Sequence, residues 1–568
     1  MTLLLAASLG LLLTQVPAAP ASRALSALAD EASALFYEGH PCRATQDGIH
    51  TFDRRMLDLS PAFVKSSIKR WGALLIRLHA LKPDRMNLDD QVDFEALDGF
   101  MRADRFELEE RKSWRNNPMP YIQGAGECID NLMKRNFAPP EERIRLATAR
   151  LAQVATLLAE GEANILNPPA EFVEVALRQS RDAIPFFRDA VPKWAHENSA
   201  ADAGLRREFD AAAASATQAV IHFAEWVEHD LKPRAKGSFV LGPELFSKKL
   251  LYEEGVKLPL PELLARGEAQ LQKDYDAFIA TARILNPALS PHAVMDLQSA
   301  DHPTQAQLLP RVRETLNATR AFVVAKDIAS IPSQELPNVQ ETPPFLRGGS
   351  FASMDAPGPY ETRATESFYY ITPTEPGWTA KHKEEHLKGF NVPELSLITL
   401  HEVFPGHFLQ LLYSRQFPTK VRKLVASNTN VEGWAHYSEQ MMVDQGFGNG
   451  DPKIRLAQLQ QALLRDCRYV GGMKMHTQGM SLADATRLFV DRCFEQPANA
   501  YEEARRGTFD PIYLYYTFGK LEIQDLAREY LAKSHRRLKD FHDAFIARGP
   551  LPVPLVRRLL LSTAEARP

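Results

Sequence analysis

The chain has 568 residues, of which 45% are apolar and 24% are charged, and its formal net charge is −4. A chain of this length and composition can bury a large core or form two lobes, as ordinary soluble globular proteins do. The near balance of 67 Lys and Arg against 71 Asp and Glu gives no basic face, which argues against a nucleic-acid partner.

The N-terminus has the features of a secretory signal peptide. An apolar run from Leu3 to Leu13 precedes Ala19-Pro20-Ala21, a small-residue cleavage site of the A-x-A kind. We therefore predict a signal peptide over residues 1–21 and export to the periplasm or medium of a bacterium, with no stable membrane insertion afterwards. The run lacks a basic residue before it, and a short buried helix is the alternative. The first cysteine, Cys42, is too distant for a lipid anchor.

The chain up to residue 330 has apolar residues at the three- and four-residue spacing of helices. Residues 141–163 follow Pro139-Pro140, which is typical of a helix start. Residues 170–232 and 260–285 repeat the spacing, with caps and breaks expected at Pro185, Pro192, Pro233 and Pro259, so the fold is predicted to be mainly α.

A proline-rich stretch, Ile331-Pro332 to Pro343-Pro344, is a candidate boundary between two parts of the chain. We divide the chain there into a helical N-terminal lobe, residues 22–330, and a catalytic lobe, residues 331–568. A small β-sheet is predicted near residues 345–375. Phe368 to Thr372 is rich in aromatic and β-branched residues and is stopped by Pro373, which predicts an edge strand. Such a strand could bind an extended peptide, and a minor structural hairpin is an equal alternative.

The segment His401-Glu402-Val403-Phe404-Pro405-Gly406-His407 looks like a zinc-hydrolase motif with two added residues. The usual arrangement is H-E-x-x-H on a helix, where histidines four apart share a face beside the glutamate. Here the second histidine is six residues on, where a straight helix would turn it about 120° away. Proline clashes with the preceding turn and glycine accepts strained angles. We therefore predict that the helix breaks at Pro405-Gly406, which returns His407 to the metal.

A zinc ion needs a third protein ligand, and the following helix offers two candidates. Glu432 is the preferred ligand and Glu439 is the alternative. On a helix Glu432, His436 and Glu439 share a face, so His436 and Glu439 would orient the ligands and fix their tautomers. Residues Asn428 to Asn430 supply N-cap residues for this helix, and Gly446, Gly448 and Gly450 end it.

These residues resemble the bacterial proteins of domain of unknown function 885, whose signature is H-E-x-x-P-G-H followed by an E-G-W segment. That family is thought to be related to the gluzincin peptidases, which include angiotensin-converting enzyme and thimet oligopeptidase. The resemblance implies that His401, His407 and Glu432 bind one zinc ion and that Glu402 is the general base. It also implies a two-lobed helical gluzincin fold, with a deep cleft that admits short peptides.

A peptidase also needs a donor for the oxyanion that forms in the transition state. Tyr513 and Tyr516 lie three residues apart, so they would share a helical face, and a phenol can donate without carrying charge. The family has a similar Y-x-x-G-K element, and angiotensin-converting enzyme uses a late tyrosine in this way. We predict Tyr516 as the oxyanion donor and Tyr513 as a substrate contact. An aromatic core stripe is the alternative.

Other polar residues are weaker candidates for substrate contacts. Lys520 or Arg506 could bind a substrate carboxylate, although each is more often a solvated charge. His476 matches a family histidine and could line the cleft. Arg465 and Arg468, on the helix before it, are weaker still.

The four cysteines, Cys42, Cys128, Cys467 and Cys493, lack C-x-x-C spacing and are poor metal ligands. One or two disulfides are compatible with export, and Cys467 with Cys493 is the most local pairing.

The function that fits these residues best is a zinc metallopeptidase that cleaves short peptides. The same site could instead hydrolyse a non-peptide amide or ester, because zinc and glutamate do not specify the acyl group. A catalytically inactive helical binding protein and a purely structural zinc site are further alternatives. The oligomeric state does not follow from the sequence.

Overall fold

The computed structural model describes residues 20–199, 202–343, 347 and 351–565. The predicted signal peptide falls on residues 1–21, so all but its last two residues lie outside the described part. Over the described ranges, the chain forms no helix that is both long and apolar enough to cross a membrane.

The first part of the chain is built from helices joined by short connections. They are α1 (Pro20–Gly39), α2 (Pro41–Asp47), α3 (Pro61–His79), α4 (Leu88–Phe106), α5 (Ser113–Asn116), α6 (Met119–Met133), α7 (Pro140–Asn164), α8 (Ala170–Pro185), α9 (Val191–Asn198), α10 (Ala203–Trp226), α11 (Lys232–Arg234), α12 (Gly242–Glu254), α13 (Leu260–Leu285), α14 (Pro291–Ser299) and α15 (Gln305–Ala325).

The helices predicted over residues 141–163 and 260–285 are confirmed as α7 and α13. Both begin directly after a proline, because proline has no N–H to leave unpaired at a helix start. Residues 170–232 form several helices, and the breaks expected at Pro185 and Pro192 lie at the end of α8 and the start of α9. Wide π-helical turns follow α8 at Phe186–Ala190 and α10 at Val227–Leu231, close to the predicted breaks at proline.

The predicted sheet is present and has three strands, β1 (Asn338–Glu341), β2 (Ala352–Asp355) and β3 (Phe368–Ile371). The strand predicted at 368–372 is confirmed as β3, but its place at an edge is wrong. The order is β1-β3-β2, with β1 parallel and β2 antiparallel to β3. The proline-rich stretch itself supplies β1, so both sides of β3 are paired and a peptide could not add to it.

The last part of the chain carries the motif segments described above on a second series of helices. They are α16 (Ala380–Lys388), α17 (Val392–Glu402), α18 (His407–Leu412), α19 (Lys420–Leu424), α20 (Asn428–Asp444), α21 (Pro452–Thr477), α22 (Leu482–Cys493), α23 (Pro497–Phe509), α24 (Tyr515–Ser534), α25 (Leu538–Ala547) and α26 (Val553–Glu565).

Helices α20 and α24 touch through their backbones. A Cβ atom on Gly433 would lie 2.6 Å from Cα of Gly519, and a Cβ atom on Gly519 would lie 2.1 Å from the carbonyl oxygen of Thr429. Only glycine therefore fits at either position. This contact sets Glu432, the residue before Gly433, against the start of α24, where Tyr516 lies.

The apolar core joins the two ends of the chain. One cluster of buried side chains includes Trp71 from α3, Leu400 from α17, Trp434 from α20 and Val556 from α26. Tyr369 of β3 is fully buried beside α17, with its hydroxyl 3.2 Å from Oγ1 of Thr399. The sheet thereby braces the helix that carries His401 and Glu402.

Two disulfides are formed, Cys42–Cys128 and Cys467–Cys493. The second is the local pairing named from the sequence. It joins α21 to α22, while the first joins α2 to α6.

Candidate metal centre

The Pro405-Gly406 break brings the two motif histidines together. Helix α17 ends at Glu402 and α18 begins at His407, and the Phe404–Pro405 peptide between them is cis. The Gly406 N–H donates to the carbonyl of Leu400 at 3.0 Å, and a Cβ atom there would lie 1.7 Å from the carbonyl oxygen of His401. Glycine is therefore required for so tight a return. The imidazole centroids of His401 and His407 end 4.8 Å apart.

Glu432 completes a group of three potential metal ligands. Its Oε2 atom lies 3.4 Å from Nε2 of His401 and 3.4 Å from Nε2 of His407. An ion held tetrahedrally at about 2.0–2.1 Å would have its ligand atoms about 3.3–3.4 Å apart. Across the described ranges, these three residues are the single group of His, Cys, Asp and Glu that could hold a metal ion. The spacing of the three atoms therefore fits zinc.

The electrostatics of the three residues also fit a cation. Oε2 of Glu432 is buried and has no hydrogen-bond partner among the residues that the structure describes. Burial favours the neutral acid, but the imidazoles of His407 and His401 outweigh it and hold the pKa of Glu432 well below its usual range. A buried ionised oxygen without a hydrogen bond is costly unless a cation neutralises it.

A distant carboxylate fixes the start of the helix that carries Glu432. The N-cap of α20 is Ser427, one residue before the predicted Asn428–Asn430. Glu254 accepts hydrogen bonds from Ser427 Oγ at 2.5 Å, from Asn428 N at 3.1 Å and from Thr429 N at 2.9 Å. The prediction of a local asparagine cap was wrong because this acceptor comes from α12. The predicted glycine end is near the true one, at Asp444.

Glu439 lies behind His401, on the side away from Glu432. Its Oε1 atom is 2.7 Å from Nδ1 of His401, and its Oε2 atom is 3.3 Å from Nδ1 of His436. The two nitrogens of an imidazole point in different directions, so Glu439 holds His401 in place while Nε2 faces Glu432. The alternative role of Glu439 as third ligand does not match this placement. His436 is fully buried and reaches the ligands only through Glu439.

Glu402 is the free carboxylate of the site. It forms no hydrogen bond or ion pair with the other described residues, although it is only partly exposed. Burial raises the pKa of Glu402, against the lowering effect of the His407 and His401 imidazoles. A carboxyl whose pKa is raised toward neutrality is suited to accept and return a proton.

Tyr516 is a further neighbour of His401. The centroids of the two rings are 6.4 Å apart. The phenol oxygen of Tyr516 accepts a hydrogen bond from Nη2 of Arg506 at 3.2 Å, which leaves its own O–H free to donate. Burial and the Glu432 carboxylate raise the pKa of Tyr516, so the phenol keeps its proton.

Three residues that the sequence placed near substrate are buried elsewhere. Tyr513 is fully buried and donates to the carbonyl of Glu503 at 3.2 Å, as the core-stripe alternative expects. His476 is fully buried, with Nε2 2.7 Å from the carbonyl of Gly507. Lys520 is fully buried, 3.5 Å from Asp274. The expected helical face shared by Tyr513 and Tyr516 is absent, because Tyr513 lies in the turn before α24. For His476 and Lys520 the prediction was wrong because sequence spacing does not tell the core side of a helix from its open side.

Arg465 and Arg468, which were weak candidates from the sequence, lie close to the site. Arg465, one helical turn after Gln461 on α21, has its Nη2 atom 3.6 Å from Oε1 of Glu439. Arg468 follows on the same face, with its guanidinium 5.0 Å from the ring centroid of Tyr516. The signal in the sequence was the i, i+3 spacing of two arginines within the mostly apolar stretch from Ala462 to Met473.

Comparisons with known proteins give a family and a fold. The sequence model of the family described as bacterial protein of unknown function (DUF885) matches residues 41–560. No curated protein matches the chain.

Two solved structures are similar over nearly the whole chain. One is a candidate lipoprotein of unknown function from Shewanella oneidensis, with 25% identity and a TM-score of 0.78, covering 96% of this chain and 100% of that one. The other is a candidate lipoprotein from Colwellia psychrerythraea, with 16% identity and a TM-score of 0.82, covering 97% of this chain and 100% of that one. The second likeness concerns the fold alone.

Proposed function

The chain belongs to the DUF885 family of bacterial proteins of unknown function, and we propose from the geometry of its own site that it is a zinc-dependent hydrolase. The activity that fits best is that of a metallopeptidase acting on short peptides. The observation that carries the proposal is the position of Glu432 Oε2, 3.4 Å from Nε2 of both His401 and His407. Two imidazoles and one carboxylate leave a fourth position open, as catalytic zinc sites do and closed structural sites do not.

Exposure supports a catalytic rather than a structural site. The side chains of His407 and Glu432 are 13% and 23% exposed, while that of His401 is 8% exposed. Solvent and substrate can therefore approach from the side of His407 and Glu432. When bound here, zinc would supply Lewis acidity, making water more acidic and polarising a carbonyl.

The protein's own groups supply the proton transfers. Glu402 follows the proposed ligand His401 in the chain and has no hydrogen bond to another described residue. It accepts a proton from the attacking water and passes it to the leaving amine. Glu439 holds the Nδ1 proton of His401 and so keeps Nε2 available as a ligand. Tyr516 donates its phenol O–H to the oxyanion, since its oxygen already accepts from Arg506.

As part of the same proposal, the substrate is a peptide and the protein is related to the gluzincin peptidases. Gluzincins use two histidines and a downstream glutamate, which is the set assembled here. Export of the protein is also proposed, and the description of both structural neighbours as candidate lipoproteins supports it.

The deciding experiment measures zinc content and cleavage of a mixed short-peptide library for the wild type and for Glu402→Gln. We expect about one zinc per chain in both proteins, with cleavage in the wild type alone. Glu385→Gln, an exposed change on α16, is the matched control and should cleave normally.

Other results would redirect the proposal. Zinc without cleavage of any peptide would point to a non-peptide amide or ester. Full activity in Glu402→Gln would remove the assigned base. Proteins without zinc after reconstitution would leave a helical binding protein as the remaining interpretation.

A further inference from the structure

Three arginines surround the ring of Tyr516 beside the proposed zinc site. Their guanidinium carbons lie 5.8 Å from the ring centroid for Arg465, 5.0 Å for Arg468 and 5.9 Å for Arg506. They come from two helices, since Arg465 and Arg468 are on α21 and Arg506 is on α23. His401 is a further neighbour of the ring, with the two centroids 6.4 Å apart. Tyr516 is therefore close both to a proposed metal ligand and to three guanidinium groups.

The acids near these arginines do not use all of the guanidinium N–H groups. Arg468 is paired with Glu503 through two hydrogen bonds, at 2.7 and 2.8 Å. Arg465 bonds to Gln461 and lies 3.6 Å from Glu439, yet its Nε atom is buried without a hydrogen-bond partner among the described residues. Arg465 is only 9% exposed, so solvent contributes little to that N–H. A buried unpaired donor is costly unless a ligand completes it.

Arg506 is the accessible member of the group. Its side chain is 34% exposed. Its contacts are long, at 3.2 Å from Nη2 to Asp510, 3.3 Å to the Tyr515 hydroxyl and 3.2 Å to the Tyr516 hydroxyl. Its Nη1 atom forms no bond with another residue in the described ranges. This edge of the guanidinium can therefore take a new acceptor.

We propose that Arg506, with Arg465 and Arg468 behind it, binds a carboxylate of the substrate; this inference rests on the proposed peptidase function and specifies its substrate class. The substrate is then a short peptide that presents a carboxylate close to the bond being cleaved. A guanidinium binds a carboxylate through paired N–H groups, with fixed orientation. The carboxylate is either the C-terminal group or an acidic side chain.

The position of Tyr516 gives the carboxylate site a geometric link to the reaction. Its ring centroid lies 6.4 Å from that of His401 and 5.0–5.9 Å from the three guanidinium carbons, and its hydroxyl accepts a hydrogen bond from Arg506. A carboxylate bound by Arg506 would therefore lie beside Tyr516, which neighbours the proposed ligand His401. Lys520, the other sequence candidate for this role, is buried against Asp274 and does not compete for the carboxylate.

The test measures peptide binding by isothermal titration calorimetry, with turnover silenced by Glu402→Gln in the full, zinc-loaded chain. The probes are N-acetyl-trialanine as the free acid, the same peptide as the amide, and an amidated version with a central glutamate. We expect a carboxylate-bearing peptide to bind about tenfold or more tightly than the neutral amide. The free acid and the glutamate peptide identify which of the two carboxylates is bound.

Arginine variants assign the effect to this site. Adding Arg506→Gln should remove the preference, so that the charged and neutral peptides bind with equal affinity, while Arg506→Lys should restore part of it. Arg505→Gln is the matched control, because the Arg505 guanidinium lies over Tyr501 and pairs with Glu174 instead. That control should keep the full preference.

Two results would overturn the inference: equal affinity for the charged and neutral peptides, or a preference that survives Arg506→Gln. Failure of the proposed function is separate, because it shows as absence of peptide cleavage by the wild type. The binding comparison does not depend on turnover.

Discussion

Nδ1 of His401 lies 2.7 Å from Oε1 of Glu439, while Nε2 of the same ring lies 3.4 Å from Oε2 of Glu432. One imidazole is thus held between two carboxylates from the same face of α20. Glu439 accepts a hydrogen bond from the Nδ1–H of His401, which orients the ring so that Nε2 points at Glu432. Burial lowers the pKa of His401, but the hydrogen bonds to Glu432 and Glu439 outweigh it and raise the pKa to about 9, so in the absence of a metal Nε2 also carries a proton that an ion would displace.

Glu439→Gln should weaken zinc binding about 10- to 100-fold, because a neutral amide holds the His401 N–H less strongly. The dissociation constant, measured by competition with a chelator, checks this. Glu385→Gln on the exposed face of α16 should leave the constant unchanged. Equal affinities for Glu439→Gln and the wild type would show that Glu439 does not orient the ligand.

Tyr516→Phe should lower kcat about 10²- to 10³-fold with little change in KM, because one oxyanion donor is lost. Steady-state kinetics on the best library peptide measure both constants, and the zinc content should equal that of the wild type. Tyr515→Phe is the neighbouring control, since the Tyr515 hydroxyl donates to Asp510 at 2.7 Å and is therefore not free to donate to an oxyanion. A similar loss of kcat in both variants would refute the assignment.

Gly433→Ala should destabilise the protein by about 1–3 kcal/mol, because its methyl group would meet the backbone of Gly519 and neither helix can move without repacking. Thermal unfolding should show a lower midpoint. Gly126→Ala in α6 is the control, since apart from its chain neighbours and the backbone of its own helix no described atom lies within 4 Å of its Cβ position. That change should be neutral or stabilise by about 0.5–1 kcal/mol. An unchanged midpoint in Gly433→Ala would contradict the close contact.

His542 should make the protein less stable as the pH falls. It is fully buried, donates from Nδ1 to Ile328 O at 2.7 Å and accepts at Nε2 from the Tyr437 hydroxyl at 2.9 Å. Burial lowers its pKa to about 4. The unfolded chain, with a pKa of about 6.5, then binds more protons between these values, so stability is lost as the pH drops through this window.

The corresponding experiment compares the pH dependence of unfolding for the wild type and His542→Gln between pH 7.5 and 4.5. The stability of the variant should fall less steeply, with the two curves converging by up to about 1.4 kcal/mol per pH unit. The same change at His229, whose side chain is 75% exposed, is the control. Parallel curves for His542→Gln and the wild type would exclude this role for His542.

The features that the sequence predicted correctly are local ones. The Pro405-Gly406 break could be inferred because two histidines six residues apart cannot share a helical face without it. Helices α7 and α13 could be inferred from their apolar spacing after proline. The grouping of Glu432 with the histidines also agrees with the structure, because all three sit on short, strongly patterned segments.

The features that it missed depend on residues far apart in the chain. The cap of α20 comes from Glu254, 173 residues before Ser427. The central place of β3 depends on β1, which lies in a stretch that reads as a proline-rich linker. Tyr513 and Tyr516 lie three residues apart. Only packing against α21 and α23 decides that Tyr513 belongs to the core and that Tyr516 lies near His401.

Glu254 has a bearing on the order in which the protein assembles. A fragment that began at residue 331 would contain every proposed zinc ligand but would lack the carboxylate that anchors the first turn of α20. Zinc binding would then depend on docking of the early helices onto the late ones as well as on the motif itself. A chain that lacks the residues before 331 would bind the ion less tightly than the full protein.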